Sequence, residues 1–196
     1  MIKVGLTGGI GSGKSTVAKF WRLLGIPTYS SDERARQIMN SDTQVIQAIK
    51  HLLGTQAYNS EGLDRAFVAS KIFNDKELLS RLNGIVHPAV EQDFELWSSR
   101  QSAPYVIEES AILFESRAAR LMDFNVVVTA SLENRITRTM LRNNISREQV
   151  IERISNQMPQ QEIISMCDFR IENDDQLLIP QIINIDQTIR ERIKQK

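Results

Sequence analysis

Three groups of residues in this chain have the types and spacing for phosphate chemistry. The first lies in "GLTGGIGSGKST", residues 5–16, where Gly8-Gly9-Ile10-Gly11-Ser12-Gly13-Lys14-Ser15 fits G-x-x-x-x-G-K-[ST] at every fixed position. Glycines let a backbone fold tightly enough to turn successive N–H groups toward phosphate oxygens, and a helix starting just behind them adds its own donors. Lys14 would bring a mobile positive charge to the β- and γ-phosphates, and Ser15 a hydroxyl for Mg²⁺. Gly9, Gly11, Ser12, Gly13 and Thr16 complete the expected nucleotide-binding set. The plainer alternative is a Gly-rich turn capping a helix; the position between an apolar run and a helical pattern speaks for the phosphate loop.

The second group is acidic. Asp32, in "TYSSDERAR", follows a short apolar run. A carboxylate at the end of such a strand can accept or orient the proton of an attacking hydroxyl. The same text reads equally as a helix start, with Ser30, Ser31 or Asp32 as cap and capping-box spacing from Ser30 to Glu33. Glu108 and Glu109 close another apolar run, "PYVIEES", where an acid often holds Mg²⁺ directly or through water; they could equally be exposed charges. The third group is basic. Arg135, Arg138 and Arg142 stand at i, i+3 and i+7, on one helical face beside a stripe of Leu132, Ile136 and Met140. On pattern alone a solvated basic face is the simpler reading, but the phosphate loop turns it toward a basic lid. His87, in "VHPAV", reads as a substrate contact or as a turn residue before Pro88. His51 and Cys167 have no neighbours suggesting a metal site or a nucleophile, and Trp21 reads as core.

The elements that must hold these residues alternate between strand and helix. "IKVGLT" (2–7), "IPTYS" (26–30), "PYVIEES" (104–110), "DFNVVVTAS" (123–131) and "FRIEN" (169–173) are apolar, β-compatible runs. Helical spacing recurs over 14–24, from Asp32 through Ile38, Val45, Ile46 and Ile49, over 132–142, and in the tail from Leu177. Ser146 with Gln149 makes a capping box at the head of 146–158. Continuous apolar strands separated by helices predict a parallel sheet covered on both faces. The stretch 55–103 shows no clear strand and reads as a helical insert.

Composition bounds the rest. At 196 residues, 41% hydrophobic and 24% charged, the chain suits one α/β domain. Its formal net charge of +0 supplies no bulk field for nucleic acid or an anionic membrane, so neither is an expected partner. A single cysteine and the lack of a signal-peptide pattern or a membrane-length apolar run lead us to expect a cytoplasmic protein. The N-K-x-D element usual in guanine-specific GTPases is missing, since "ENDD" (172–175) lacks the lysine. A small-molecule kinase is therefore expected, with a nucleotide-dependent switch as the non-enzymatic rival.

Several stretches together resemble one family. "GLTGGIGSGKST", "LGIP" followed by Asp32 in "SSDERAR", "VHPAV", "AILFE", "RTMLRNNISREQV…ISNQM" and "CDFRIEN" occur in the order and at the intervals of a bacterial dephospho-CoA kinase. The resemblance implies a P-loop α/β/α core with a mostly parallel five-stranded sheet over about 1–54 and 104–196. It further implies a substrate-binding helical insert over about 55–103 and a helical lid over about 138–165. ATP would phosphorylate the ribose 3′-hydroxyl of dephospho-CoA, giving CoA and ADP, in the last step of coenzyme A synthesis. No obligate protein partner is implied; a different small acceptor is the rival within kinases. By carry-over Asp32 is the catalytic base, Lys14 and Arg138 stabilise the transferring group, and Arg142 lies near ATP. His87 lies near the acceptor, Asn173 near adenine, and Glu109 rather than Glu108 near Mg²⁺. Two positions depart from the family pattern: Ala111 stands where many relatives have Pro, and Ser30 where they often carry an acid.

Overall fold

The structure, a computed structural model, describes every residue except Asn74, Arg117 and Lys196. From the N-terminus run β1 (Ile2–Thr7), α1 (Lys14–Leu23) and β2 (Thr28–Ser30). Next come α2 (Ser31–Ser41), α3 (Thr43–Leu53), a 3-10 turn (Thr55–Ala57), β3 (Tyr58–Asn59), β4 (Gly62–Leu63), α4 (Arg65–Ile72) and α5 (Lys76–Ser99). The remainder is β5 (Tyr105–Glu109), a second 3-10 turn (Ala118–Leu121), β6 (Phe124–Thr129), α6 (Leu132–Asn143), α7 (Arg147–Ser155), α8 (Gln160–Ser165), β7 (Phe169–Glu172) and α9 (Leu178–Lys194). Two compact units result: Met1–Ser30 with Ser98–Lys196, and Ser31–Trp97.

The first unit is built on a 5-stranded sheet in the order β2-β5-β1-β6-β7, with every pairing parallel. All five residues of β5 are buried, as are the last four of β1 and of β6. This is why those strands read as unbroken apolar runs: a parallel sheet is covered on both faces. On one face, Val17, Ala18 and Trp21 of α1 and Ile182, Ile185 and Ile189 of α9 form a single cluster with Val4, Leu6, Ile107, Val126 and Val128 of the sheet. Trp21 is fully buried, as its sequence reading required. Its indole N–H donates to the Tyr105 hydroxyl at 3.0 Å, which donates in turn to Asp186 Oδ1 at 2.6 Å. Burial, with Asp186 alongside, pushes the Tyr105 phenol well above its ordinary value. The three elements are thereby tied through a polar chain that leaves no indole donor unmet.

The second unit begins at Ser31, where α2 and α3 pack on each other and α3 packs on the 3-10 turn that follows it. The single helix expected from Asp32 onward is two. Asp42 interrupts it, accepting the N–H groups of Gln44 and Val45 as the cap of α3. The stretch read as strandless holds a small antiparallel ladder, Tyr58 opposite Leu63 and Asn59 opposite Gly62. The Tyr58 hydroxyl donates to the Met39 carbonyl at 2.7 Å, and burial raises its pKa to about 12. Arg34 of α2 forks onto Asp93 of α5 through both Nε and Nη2.

Candidate functional site

The site of the first unit starts where β1 ends. Leu6 of β1 is registered against Glu109 of β5, so the carboxyl ends of the two central strands lie side by side. The chain leaves β1 through Gly8–Gly13 and enters α1 at Lys14. Gly13, the residue before the helix, has φ +95°, a left-handed conformation that a side chain strains, and no side chain caps the helix start. The Thr16 and Val17 N–H groups already donate to the Gly13 carbonyl at 2.9 and 3.1 Å. With no side-chain cap, the head of α1 presents the positive end of the helix dipole to an anion. Within the loop the Ser12 N–H donates to the Gly9 carbonyl at 3.0 Å, closing a tight turn. Ser12 is fully buried and its hydroxyl finds no partner among the described residues, whereas Thr16 is exposed in the first turn of α1.

Three of the residues singled out by sequence meet at one oxygen. Glu109 Oε1 accepts from Lys14 Nζ at 2.8 Å and from Ser15 Oγ at 2.6 Å. The Lys14 and Glu109 side chains are only 11% and 5% exposed, so their attraction is weakly screened. Burial pushes the Glu109 carboxyl up. The Lys14 charge, the hydrogen bonds from Lys14 and Ser15, and the more distant Arg22 outweigh that and hold it below the usual glutamate value. Glu109 is therefore ionised at neutral pH. A carboxylate, a hydroxyl and a mobile ammonium are gathered at the mouth of a loop of backbone donors. Glu108, its neighbour, is also buried, but pairs in register with Gly5 and Tyr29 inside the sheet.

The three arginines of α6 do not share one environment. Arg135 is buried, 6% exposed; its Nε donates to the Ile10 carbonyl at 3.0 Å. It belongs to the packing of the phosphate loop and not to an open basic face, a correction to the reading from spacing. Arg138 is half-buried: Nη2 donates to the Asn173 carbonyl at 2.8 Å, while buried Nη1 finds no partner among the described residues. Arg142 is exposed, its Nε donating to Asn143 Oδ1 at 3.2 Å. Asn173 lies against the loop, its Nδ2 donating to the Ser12 carbonyl at 2.7 Å. A residue that the sequence reading did not single out also arrives here. Gln157, just past α7, accepts the Ile10 N–H at 2.8 Å through Oε1. No local signal marks that contact, which joins positions 147 apart.

Asp32 and His87 belong to the second unit. Asp32 is exposed in the first turn of α2, immediately after β2, where a carboxylate meets the positive end of the helix. His87 is not a turn residue. It sits half-buried in the middle of α5, with Pro88 inside the same helix, and burial lowers its pKa. Pro88 cannot donate to the Gly84 carbonyl, so one helical hydrogen bond is given up there. Burial, with Asp168 adding to it, raises the Cys167 thiol to about 12, which leaves it a poor nucleophile.

Oxygen donors are what Mg²⁺ selects. It ordinarily takes one or two carboxylates or hydroxyls from the protein, with phosphates and water completing its shell. Ser15 Oγ and the ionised Glu109 carboxylate meet that description, so the residues present fit the ion. Among the described residues no group of three or more His, Cys, Asp or Glu side chains forms a dedicated cage.

Comparison with known proteins bears on this arrangement. A family model described as dephospho-CoA kinase matches residues 2–178. A dephospho-CoA kinase of Bacteroides fragilis is 38% identical over 194 residues, covering 98% of this chain and 95% of that protein. The crystal structure of TT1252 from Thermus thermophilus superposes with a TM-score of 0.86 at 34% identity, covering 95% of this chain and 96% of its own. A dephospho-CoA kinase from Campylobacter jejuni superposes with a TM-score of 0.67 at 23% identity over 96% of this chain and 97% of that one, a likeness of fold.

Proposed function

The chain belongs to the dephospho-CoA kinase family, and from that premise we propose that it moves the γ-phosphoryl group of ATP to the ribose 3′-hydroxyl of dephospho-CoA. Membership makes it an enzyme of coenzyme A biosynthesis, a kinase whose acceptor is dephospho-CoA. The observation that carries the site reading is the convergence of Lys14 and Ser15 on Glu109 at the head of an uncapped helix.

The phosphates of ATP bind along residues 8–16, held by backbone N–H groups. Lys14 exchanges its contact with Glu109 for the β- and γ-phosphate oxygens and neutralises the charge that spreads over them in the transition state. Ser15 and Glu109 would hold Mg²⁺, which when bound offsets charge on the β- and γ-oxygens. Arg138, whose buried Nη1 has no partner among the described residues, turns that donor to the nucleotide, and Arg142 supplies a more exposed charge. Asn173 serves the nucleotide from the loop's side. The segment 138–165 acts as a lid that excludes water from the transferring group.

The unit Ser31–Trp97 binds the acceptor. Asp32 aligns the 3′-hydroxyl for in-line attack and accepts its proton. His87 contacts the acceptor as a neutral imidazole. We place its action in the cytoplasm, an expectation from the sequence. No helix among the described residues is long and apolar enough to cross a membrane. The test is ADP release over a panel of acceptors, in which dephospho-CoA must dominate over nucleoside monophosphates and sugar acids. Equal release without any acceptor contradicts the reading.

A further inference from the structure

A phosphate loop works only if its amide hydrogens point inward, and a short glycine-rich segment is free to turn its peptide groups either way. Every peptide bond among the described residues is trans. In a planar trans peptide the carbonyl of one residue and the N–H of the next point in opposite directions. A partner that seizes a loop carbonyl from outside therefore aims the following N–H the other way.

The loop is held in this manner at two carbonyls and one amide. Arg135 Nε takes the Ile10 carbonyl at 3.0 Å, Asn173 Nδ2 takes the Ser12 carbonyl at 2.7 Å, and Gln157 Oε1 takes the Ile10 N–H at 2.8 Å. These side chains come from α6, from the residue after β7 and from the residues after α7. The Arg135 guanidinium lies so close over Gly9 that a Cβ there would collide with Nη2 and Cζ. Burying a guanidinium is costly, and a residue that merely filled this space would cost less as an aliphatic. Its charge and directed donor are used by the loop.

We propose that Arg135 and Asn173 are positioning residues for phosphate binding: by fastening the Ile10 and Ser12 carbonyls to the outer side of the loop, they aim the N–H groups of Gly11 and Gly13 at the phosphates. The donors then stand in place before the substrate arrives, and no peptide needs to turn when it does. The proposal rests on the reading of residues 8–16 as the ATP phosphate site.

Arg135 separates this role most cleanly, since Asn173 is also read as a nucleotide contact. Arg135→Met keeps an aliphatic stem of similar reach without the donor, and Arg135→Lys keeps a donor. Binding of Mg-ADP and of dephospho-CoA to the full chain is measured by calorimetry for both variants and the parent. Arg135→Met is expected to weaken Mg-ADP by about tenfold or more, the scale of one lost hydrogen bond from a charged group. It should leave dephospho-CoA unchanged, and Arg135→Lys should recover most of the Mg-ADP affinity. Parent-like Mg-ADP binding by Arg135→Met overturns the proposal. So does equal weakening of both ligands, or an Arg135→Lys no better than Arg135→Met. A parent that binds no Mg-ADP overturns the phosphate-site reading, and this proposal with it.

Discussion

Glu109 shows how one side chain can be read from its surroundings. Its carboxyl is held below 4.5, the ordinary glutamate value. The unfolded chain therefore takes up that proton first as pH falls. The pair's contribution to stability is complete above 4.5 and is lost as pH drops through the native value. Chemical denaturation from about pH 6 down to about pH 3 should show part of this slope, and Glu109→Gln should flatten it. A variant with the parent's slope would place the acid sensitivity elsewhere. Asp32 is tested by chemistry instead. Asp32→Asn is expected to lower turnover by at least about 100-fold while Mg-ATP binding stays near the parent's, as for removal of a general base. The sequence identified both acids and preferred Glu109 to Glu108 through family resemblance. It could not show that Glu109 meets Lys14 and Ser15, because that contact joins residues 95 and 94 apart.

The elements were legible in proportion to how local their causes are. β6 is a largely β-branched run, β5 opens on Tyr105-Val106-Ile107, both are almost wholly buried, and the capping box of Ser146 and Gln149 forms as its spacing requires. Where a cause is distant, the reading failed. Arg135 has the spacing of a surface face, yet this side chain is buried against the loop, and helical periodicity carries no information on which polar residue is buried. Of the two readings open for His87, a substrate contact or a turn residue before Pro88, the turn is the one that fails, because α5 runs 24 residues and absorbs one missing hydrogen bond. The break at Asp42 leaves no mark in the pattern, because the apolar spacing continues across it. The polar chain from Trp21 through Tyr105 to Asp186 was invisible for the same reason of distance. Tyr105→Phe should cost about 1–3 kcal/mol, because it removes the acceptor of the buried indole and the donor to Asp186. At this chain length that lowers the melting temperature by roughly 2–4 °C per kcal/mol. An unchanged melting temperature would mean that the chain of hydrogen bonds is energetically idle.

At the scale of the whole molecule, a chain of zero net charge binds a polyanion only through local donors, and those of the phosphate loop lie in the unit built on the parallel sheet. The proposed division of labour gives nucleotide to that unit and acceptor to the unit Ser31–Trp97. A ligand held by the folded state raises stability by about 2.7 kcal/mol at a hundred times its Kd. Mg-ATP should accordingly raise the melting temperature of the parent and not that of Lys14→Ala, while dephospho-CoA should stabilise both. The central claim is that the loop ending in Lys14 and Ser15 carries the phosphoryl group to an alcohol. Its most direct test is coupled ADP release with and without dephospho-CoA, for the parent and for Lys14→Ala. The account predicts release that depends on the acceptor in the parent and falls to near background in the variant. Release that is indifferent to dephospho-CoA, or a Lys14→Ala enzyme as fast as the parent, would contradict it.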